Sequence, residues 1–157
     1  MYFIKTYDMK KGLLSIVVIC LMVACIWKPT NTEESTSRQA KAFAEAYFNY
    51  DFEEAGQRST PESAKWLQFA SSSITQEDVD FINSQEAATV TVSNCSKVND
   101  SISIVTIVVD HFVTRDSIGS PAHITNEATF NLKVVLRNGD YLIKMEGLPQ
   151  NEMQSLD

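Results

Sequence analysis

The chain has 157 residues, with 13 Lys and Arg against 20 Asp and Glu, for a formal net charge of −7. No basic block interrupts this acidic balance, which argues against nucleic acid as a partner, because such binding is dominated by lysine and arginine contacts to phosphate. It argues equally against a surface held to anionic lipid by charge.

The first element is an uncharged run, Gly12 to Trp27, bounded by Lys10-Lys11 and by Lys28. It is shorter than the ~20 residues a helix needs to cross a bilayer. A basic n-region (Lys10-Lys11), an apolar h-region (Leu13 to Val23) and the small Ala24 before Cys25 are the parts of a secretory signal. The segment Leu21-Met22-Val23-Ala24-Cys25 resembles the lipobox of bacterial lipoproteins, with Met22 in place of the family's leucine three residues before the cysteine. The resemblance implies that Cys25 is acylated and becomes the new N-terminus. Residues 1–24 are then a signal peptide, for which Met9 is a more economical start than Met1. The alternative is an uncleaved N-terminal anchor helix. A buried core helix fits poorly, since the run is apolar all round.

Loss of residues 1–24, which carry three lysines and one aspartate, leaves 133 residues at a charge of −9. That is enough for one domain with one core. Of three cysteines, Cys20 leaves with the signal, Cys25 carries lipid and Cys95 remains, so no intrachain disulfide and no cysteine metal cluster is expected. Residues 25–37 are polar, with Pro29 and several Ser and Thr, and read as a tether. The domain is expected over 38–148, followed by a polar tail at 149–157.

From Arg38 to Phe52, Ala40, Phe43, Ala44 and Tyr47 fall on one helical face, with Ser35, Thr36 or Ser37 able to cap its start. Asn49-Tyr50-Asp51 breaks this helix, and a shorter one, Phe52 to Arg58, follows. Thr60-Pro61-Glu62 is a second start signal: Pro loses nothing at the first helical position and Glu meets the positive helix end. That helix carries Trp66, Leu67, Phe69 and Ala70. Thr75-Gln76-Glu77-Asp78 is a third start, expected to open a short turn bearing Val79, Phe81 and Ile82.

From Ala87 onward the period changes to two. Strands are expected from Thr89 to Cys95, with Cys95 on the face of Thr91 and Ser93, and from Ile102 to Thr114, rich in β-branched residues. Ala128–Arg137 and Asp140–Glu146 are joined by Asn138-Gly139, the pair that suits a type I′ turn. This turn sets Arg137 opposite Asp140, Leu136 opposite Tyr141, Val134 opposite Ile143 and Leu132 opposite Met145. Lys133 and Lys144 share the other face and repel unless an acid intervenes.

Helices followed by an antiparallel sheet that closes on Gly139-Asp-Tyr-Leu-Ile-Lys-Met145 resemble the NTF2-like (cystatin-like α+β cone) superfamily, as does the helix ending of Ala42 to Ala55 (AFAEAYFNYDFEEA). The resemblance implies an α+β fold with N-terminal helices packed on a curved antiparallel sheet. It implies a pocket between the two layers, which in some members holds an acid–base pair, as in steroid isomerases and dehydratases. Tyr47, Trp66, His111 and Tyr141 are candidates to line such a pocket. Asp110, in an apolar strand, is a candidate general base, since a carboxylate in an apolar wall has a raised pKa. Asp110 and His111 are neighbours on a strand and point to opposite faces, so they cannot form one dyad. With only His111 and His123, no metal spacing is present, and no glycine-rich phosphate loop occurs. No cofactor is expected.

The reading favours a lipid-anchored envelope protein that binds a small ligand or an envelope protein and does not catalyse, attached to the membrane through Cys25. Ile26 in place of an aspartate after the cysteine favours the outer membrane. The alternatives are an isomerase- or dehydratase-type enzyme using Asp110, and a structural module forming homodimers through the sheet on an uncleaved anchor.

Overall fold

The computed structural model describes residues 32–117 and 119–149; the segment expected to be a signal, Cys25 and residues 150–157 lie outside them. The first described element, α1, spans Thr32–Phe48. It begins six residues before Arg38, inside the stretch whose composition suggests a tether. Two features extend it: Glu33 and Glu34 sit at the positive end of the helix dipole, and Thr36 continues the stripe of Ala40, Phe43, Ala44 and Phe48. Thr36 is fully buried, and its hydroxyl donates to the Thr32 carbonyl at 2.6 Å, so burial leaves no polar group unmatched. The three residues considered as caps are therefore internal to the helix.

The end of α1 is a Schellman motif. The Asp51 N–H donates to the Ala46 carbonyl (2.9 Å) and the Tyr50 N–H to the Tyr47 carbonyl (3.1 Å). The left-handed position of that motif, ordinarily glycine, is held by Tyr50 at φ 65°. Asn49 fastens this corner to the sheet: its amide donates to the Ala88 carbonyl (3.1 Å) and its carbonyl accepts from the Ala88 N–H (2.8 Å). Asp51 then caps α2 (Phe52–Gln57) by accepting from the Glu54 N–H at 3.0 Å.

A single 3₁₀ turn, Pro61–Ser63, leads into α3 (Ala64–Ser72). Thr60 precedes it in extended conformation but makes no side-chain cap; its hydroxyl pairs with that of Ser63 at 3.0 Å. The reason is a competing partner. Residues 58–60 run beside the last strand, with the Thr60 N–H donating to Ile143 O (2.8 Å) and the Ile143 N–H to Arg58 O (2.9 Å). The Met145 N–H donates to the Ser63 hydroxyl at 2.9 Å. The sheet edge formed by the last strand is thus paired there and not left as a template for other strands. Helix α4 (Gln76–Asn83) opens with a capping box between Thr75 and Asp78.

Four antiparallel strands follow in the order β1 (Thr89–Asn99), β2 (Ile102–Thr114), β3 (His123–Arg137) and β4 (Asp140–Ile143). The fold is α+β, helices first, with α1 laid against the sheet. Phe43 from α1 shares one core cluster with Val105, Ile107 and Val109 from β2 and with Val134 and Ile143 from the hairpin, all nearly or wholly buried. The hairpin has the expected register, with Val134 opposite Ile143 and Leu136 opposite Tyr141. Asn138 and Gly139 both have positive φ, 54° and 92°. An acid does intervene between the lysines: Glu146 lies 3.0 Å from Lys133 and 3.1 Å from Lys144.

Two irregularities depart from strict alternation. A bulge at Ser93 changes the pairing from Val92–Ile107 to Asn94–Thr106. It brings Cys95 onto the core face with Val90 and Val92, opposite the buried Val105, and not onto the face of Thr91 and Ser93. At His111 the backbone takes φ 53°, and both Val109 and Phe112 are buried around it. Residues two apart no longer share a face there, so His111 does not continue the face of Val109.

Candidate functional site

Where the C-terminal end of α1 meets α3, α4 and the ends of β2 and β3, a cavity of about 370 Å³ opens. Its size falls within the range of small-molecule sites. Six aromatic rings contribute to its wall: Tyr47, Phe48, Tyr50, Phe52, Phe112 and Phe130. The periodicity of α1 delivers the first two, and the corner at Asn49–Asp51 turns the next two inward. Phe48, Phe112 and Phe130 lock ring to ring, with centroids 4.7 to 5.7 Å apart. Tyr47 stands edge-on to Phe52 at 5.7 Å. Such pairs add to burial and hold the wall rigid.

The polar side of the cavity is formed by Ser73, Asp78, Arg115, Asp116 and His123. Asp78, 7% exposed, accepts from the Thr75 N–H at 2.6 Å and pairs with the Arg115 guanidinium. Arg115 also donates to the Ser73 carbonyl at 2.8 Å. Its charge is thereby matched within the protein. Asp116 and His123 lie 3.8 Å apart at the exposed rim.

The two phenols differ. Tyr50 donates to the Val113 carbonyl at 3.0 Å, whereas the Tyr47 hydroxyl has no hydrogen-bond partner among the described residues. Burial pushes the Tyr47 phenol above its ordinary value of 10.0, and neighbouring Tyr50 raises it further. Burial also raises Tyr50, partly offset by Arg115. At neutral pH the Tyr47 hydroxyl keeps its proton and is available as a donor to a ligand in the cavity it lines.

The candidate residues do not converge. Tyr47 lines this cavity. His111 lines a second cavity of about 310 Å³ on the far side of Phe112. Tyr141 borders a surface depression beside Arg38 and Gln39. Trp66 packs at the edge of the core, with the Lys65 ammonium 5.0 Å above its ring. Asp110 pairs with Thr89 and Glu127 within the sheet and is absent from the lining of both cavities. Sequence reasoning missed Arg115, Phe112 and Phe130. The capping box located Asp78, but nothing in the chain couples it to an arginine 37 positions away. Among the described residues no group of three or more His, Cys, Asp or Glu is placed to hold a metal ion, and no helix is long and apolar enough to cross a membrane.

No protein-family model and no curated protein matches the chain. Among solved structures, an NTF-2-like protein of unknown function from Shewanella oneidensis MR-1 is similar, with 12% identity and a TM-score of 0.43 over 68% of this chain and 88% of that one. That similarity is too distant to carry residues or activity across.

Proposed function

We propose that the chain is a lipid-anchored envelope protein whose NTF2-like domain binds a small, uncharged, apolar ligand carrying a hydrogen-bond acceptor. One observation carries the binding half: an aromatic-walled cavity that holds an unpartnered phenol donor, while its only guanidinium is already neutralised. An anionic ligand would find the guanidinium already paired with Asp78, and a purely apolar one would leave the Tyr47 hydroxyl unmatched. The lipobox-like segment ending at Cys25 supports the anchor.

Binding is tested with 6-propionyl-2-(dimethylamino)naphthalene, an uncharged fluorescent aromatic ketone whose carbonyl is a hydrogen-bond acceptor, titrated into the full chain in lipid nanodiscs against empty nanodiscs. Saturable binding at one site is expected, and it should vanish in Thr125→Trp, which fills the cavity from β3. Binding that Thr125→Trp leaves unchanged contradicts this location. The anchor is tested separately: globomycin treatment or Cys25→Ala should change the mass and membrane fractionation of the protein, and an unchanged product contradicts it.

A further inference from the structure

The cavity assigned above and the second cavity share four wall residues: Phe48, Tyr50, Phe112 and Val113. The volumes are similar, about 370 and 310 Å³, so their union would nearly double the space. Three of the four wall residues are immobilised. Phe48 and Phe112 are buried and packed edge-to-face with each other, and both pack against Phe130; Val113 is held in the ladder opposite Ile124. Tyr50 is different. It is half-buried, its one ring neighbour is Phe52 at 5.8 Å, and a single hydrogen bond to the Val113 carbonyl latches its tip to the strand.

Its backbone sharpens the point. Tyr50 holds the left-handed position of the Schellman motif, where glycine fits without strain and a β-carbon does not. A bulky side chain thus stands where the backbone disfavours any, and that side chain borders both cavities. Strained positions of this kind mark places where a side chain is held for a purpose other than folding.

We propose that Tyr50 is the selectivity residue of this site: its ring partitions one long chamber into two and restricts the ligand to a compact, ring-sized apolar molecule, excluding extended chains. The proposal rests on the binding assignment for the first cavity. Removal of the ring joins the chambers and admits a long-chain alcohol; loss of the hydroxyl alone frees the ring to swing.

The test uses the full chain in lipid nanodiscs and two uncharged primary alcohols, hexyl and tetradecyl, each with an alkyl diazirine at the chain tip. After irradiation the sites of attachment are located by fragmentation mass spectrometry. In the unaltered protein the hexyl probe should label the first cavity, at Tyr47, Phe52 or Ile74, and the tetradecyl probe should leave residues 83–88 unlabelled. Tyr50→Gly, whose backbone suits the motif, should keep hexyl labelling and gain tetradecyl labelling at 83–88. Tyr50→Phe should raise labelling there about fivefold over the unaltered protein, the equilibrium factor for one lost hydrogen bond. Tetradecyl labelling at 83–88 in the unaltered protein equal to that in Tyr50→Gly overturns the partition. So does Tyr50→Gly that accepts the hexyl probe and gains nothing. If Tyr50→Gly loses hexyl labelling as well, Tyr50→Phe decides by the same criterion. Failure of the hexyl probe to label the first cavity of the unaltered protein overturns the binding assignment, and the partition with it.

Discussion

Asp78 and Arg115 join α4 to the end of β2 through an ion pair from which solvent is largely excluded, their side chains being 9% and 18% exposed. Asp78 simultaneously closes the capping box of α4, and Arg115 simultaneously holds the last carbonyl of the α3 end. Removal of Arg115 leaves a buried carboxylate without its counter-charge, which is more costly than the pair is stabilising. Arg115→Met is expected to lower unfolding free energy by about 3 kcal/mol, measured by urea denaturation. Asp78→Asn combined with Arg115→Met should cost less than the two single changes added together.

Gly139 has φ 92° and nothing within 4 Å of the position a β-carbon would take. The cost of Gly139→Ala is therefore backbone strain alone, about 1 kcal/mol. The same denaturation measurement checks it. A loss of several kcal/mol would mean that the turn packs against something else.

Glu62 accepts two hydrogen bonds from Arg137 Nη1, at 2.8 and 2.9 Å, across from the 3₁₀ turn to the hairpin. The Arg137 hydrogen bonds hold its carboxyl down from 4.5 to about 2. A depressed folded value means stability present above the unfolded pKa and lost as pH falls from about 4.5 to about 2. The pair is solvent-exposed, with side chains 47% and 59% accessible, so the effect is small and screened by salt. Thermal melting across that window should show a steeper acid-side loss in the unaltered protein than in Glu62→Gln, and the difference should shrink at high salt.

Tyr47 makes the opposite prediction at the alkaline end. Its folded pKa is raised above the ordinary 10.0 by burial, so the unfolded chain loses the proton first. Its contribution is complete below pH 10.0 and is lost progressively as pH rises beyond it. Tyr47→Phe removes this ionisation, and its stability should fall less steeply on that limb. Identical slopes would place the Tyr47 phenol in water.

The parts of the fold that sequence made legible are those specified by neighbours in the chain. Asn138-Gly139 set the hairpin register because a two-residue turn of that type admits one pairing, and Thr75 with Asp78 announced α4 through a local exchange of hydrogen bonds. The ends of β2, Ile102 and Thr114, followed from its β-branched run. The bulge at Ser93 and the left-handed backbone at His111 could not be read, since both answer to a partner strand. The start of α1 was masked by a polar composition that serves a linker and a solvated helix face equally well. The candidate site was the least legible part. Its aromatic wall draws on α1, β2 and β3, and its ion pair joins residues distant in the chain. Tyr47 alone of the proposed pocket residues lies in the cavity, because helical spacing identifies an inward face without saying which end of it is filled.

Aromatic-proton NMR of the full chain in nanodiscs, recorded with and without 6-propionyl-2-(dimethylamino)naphthalene, tests the binding assignment most directly. The account predicts shifts concentrated on Tyr47, Phe52, Phe112 and Phe130, with Trp66 and Tyr141 unmoved. Shifts centred on Tyr141, or none on the four cavity rings while the probe is bound, would contradict it.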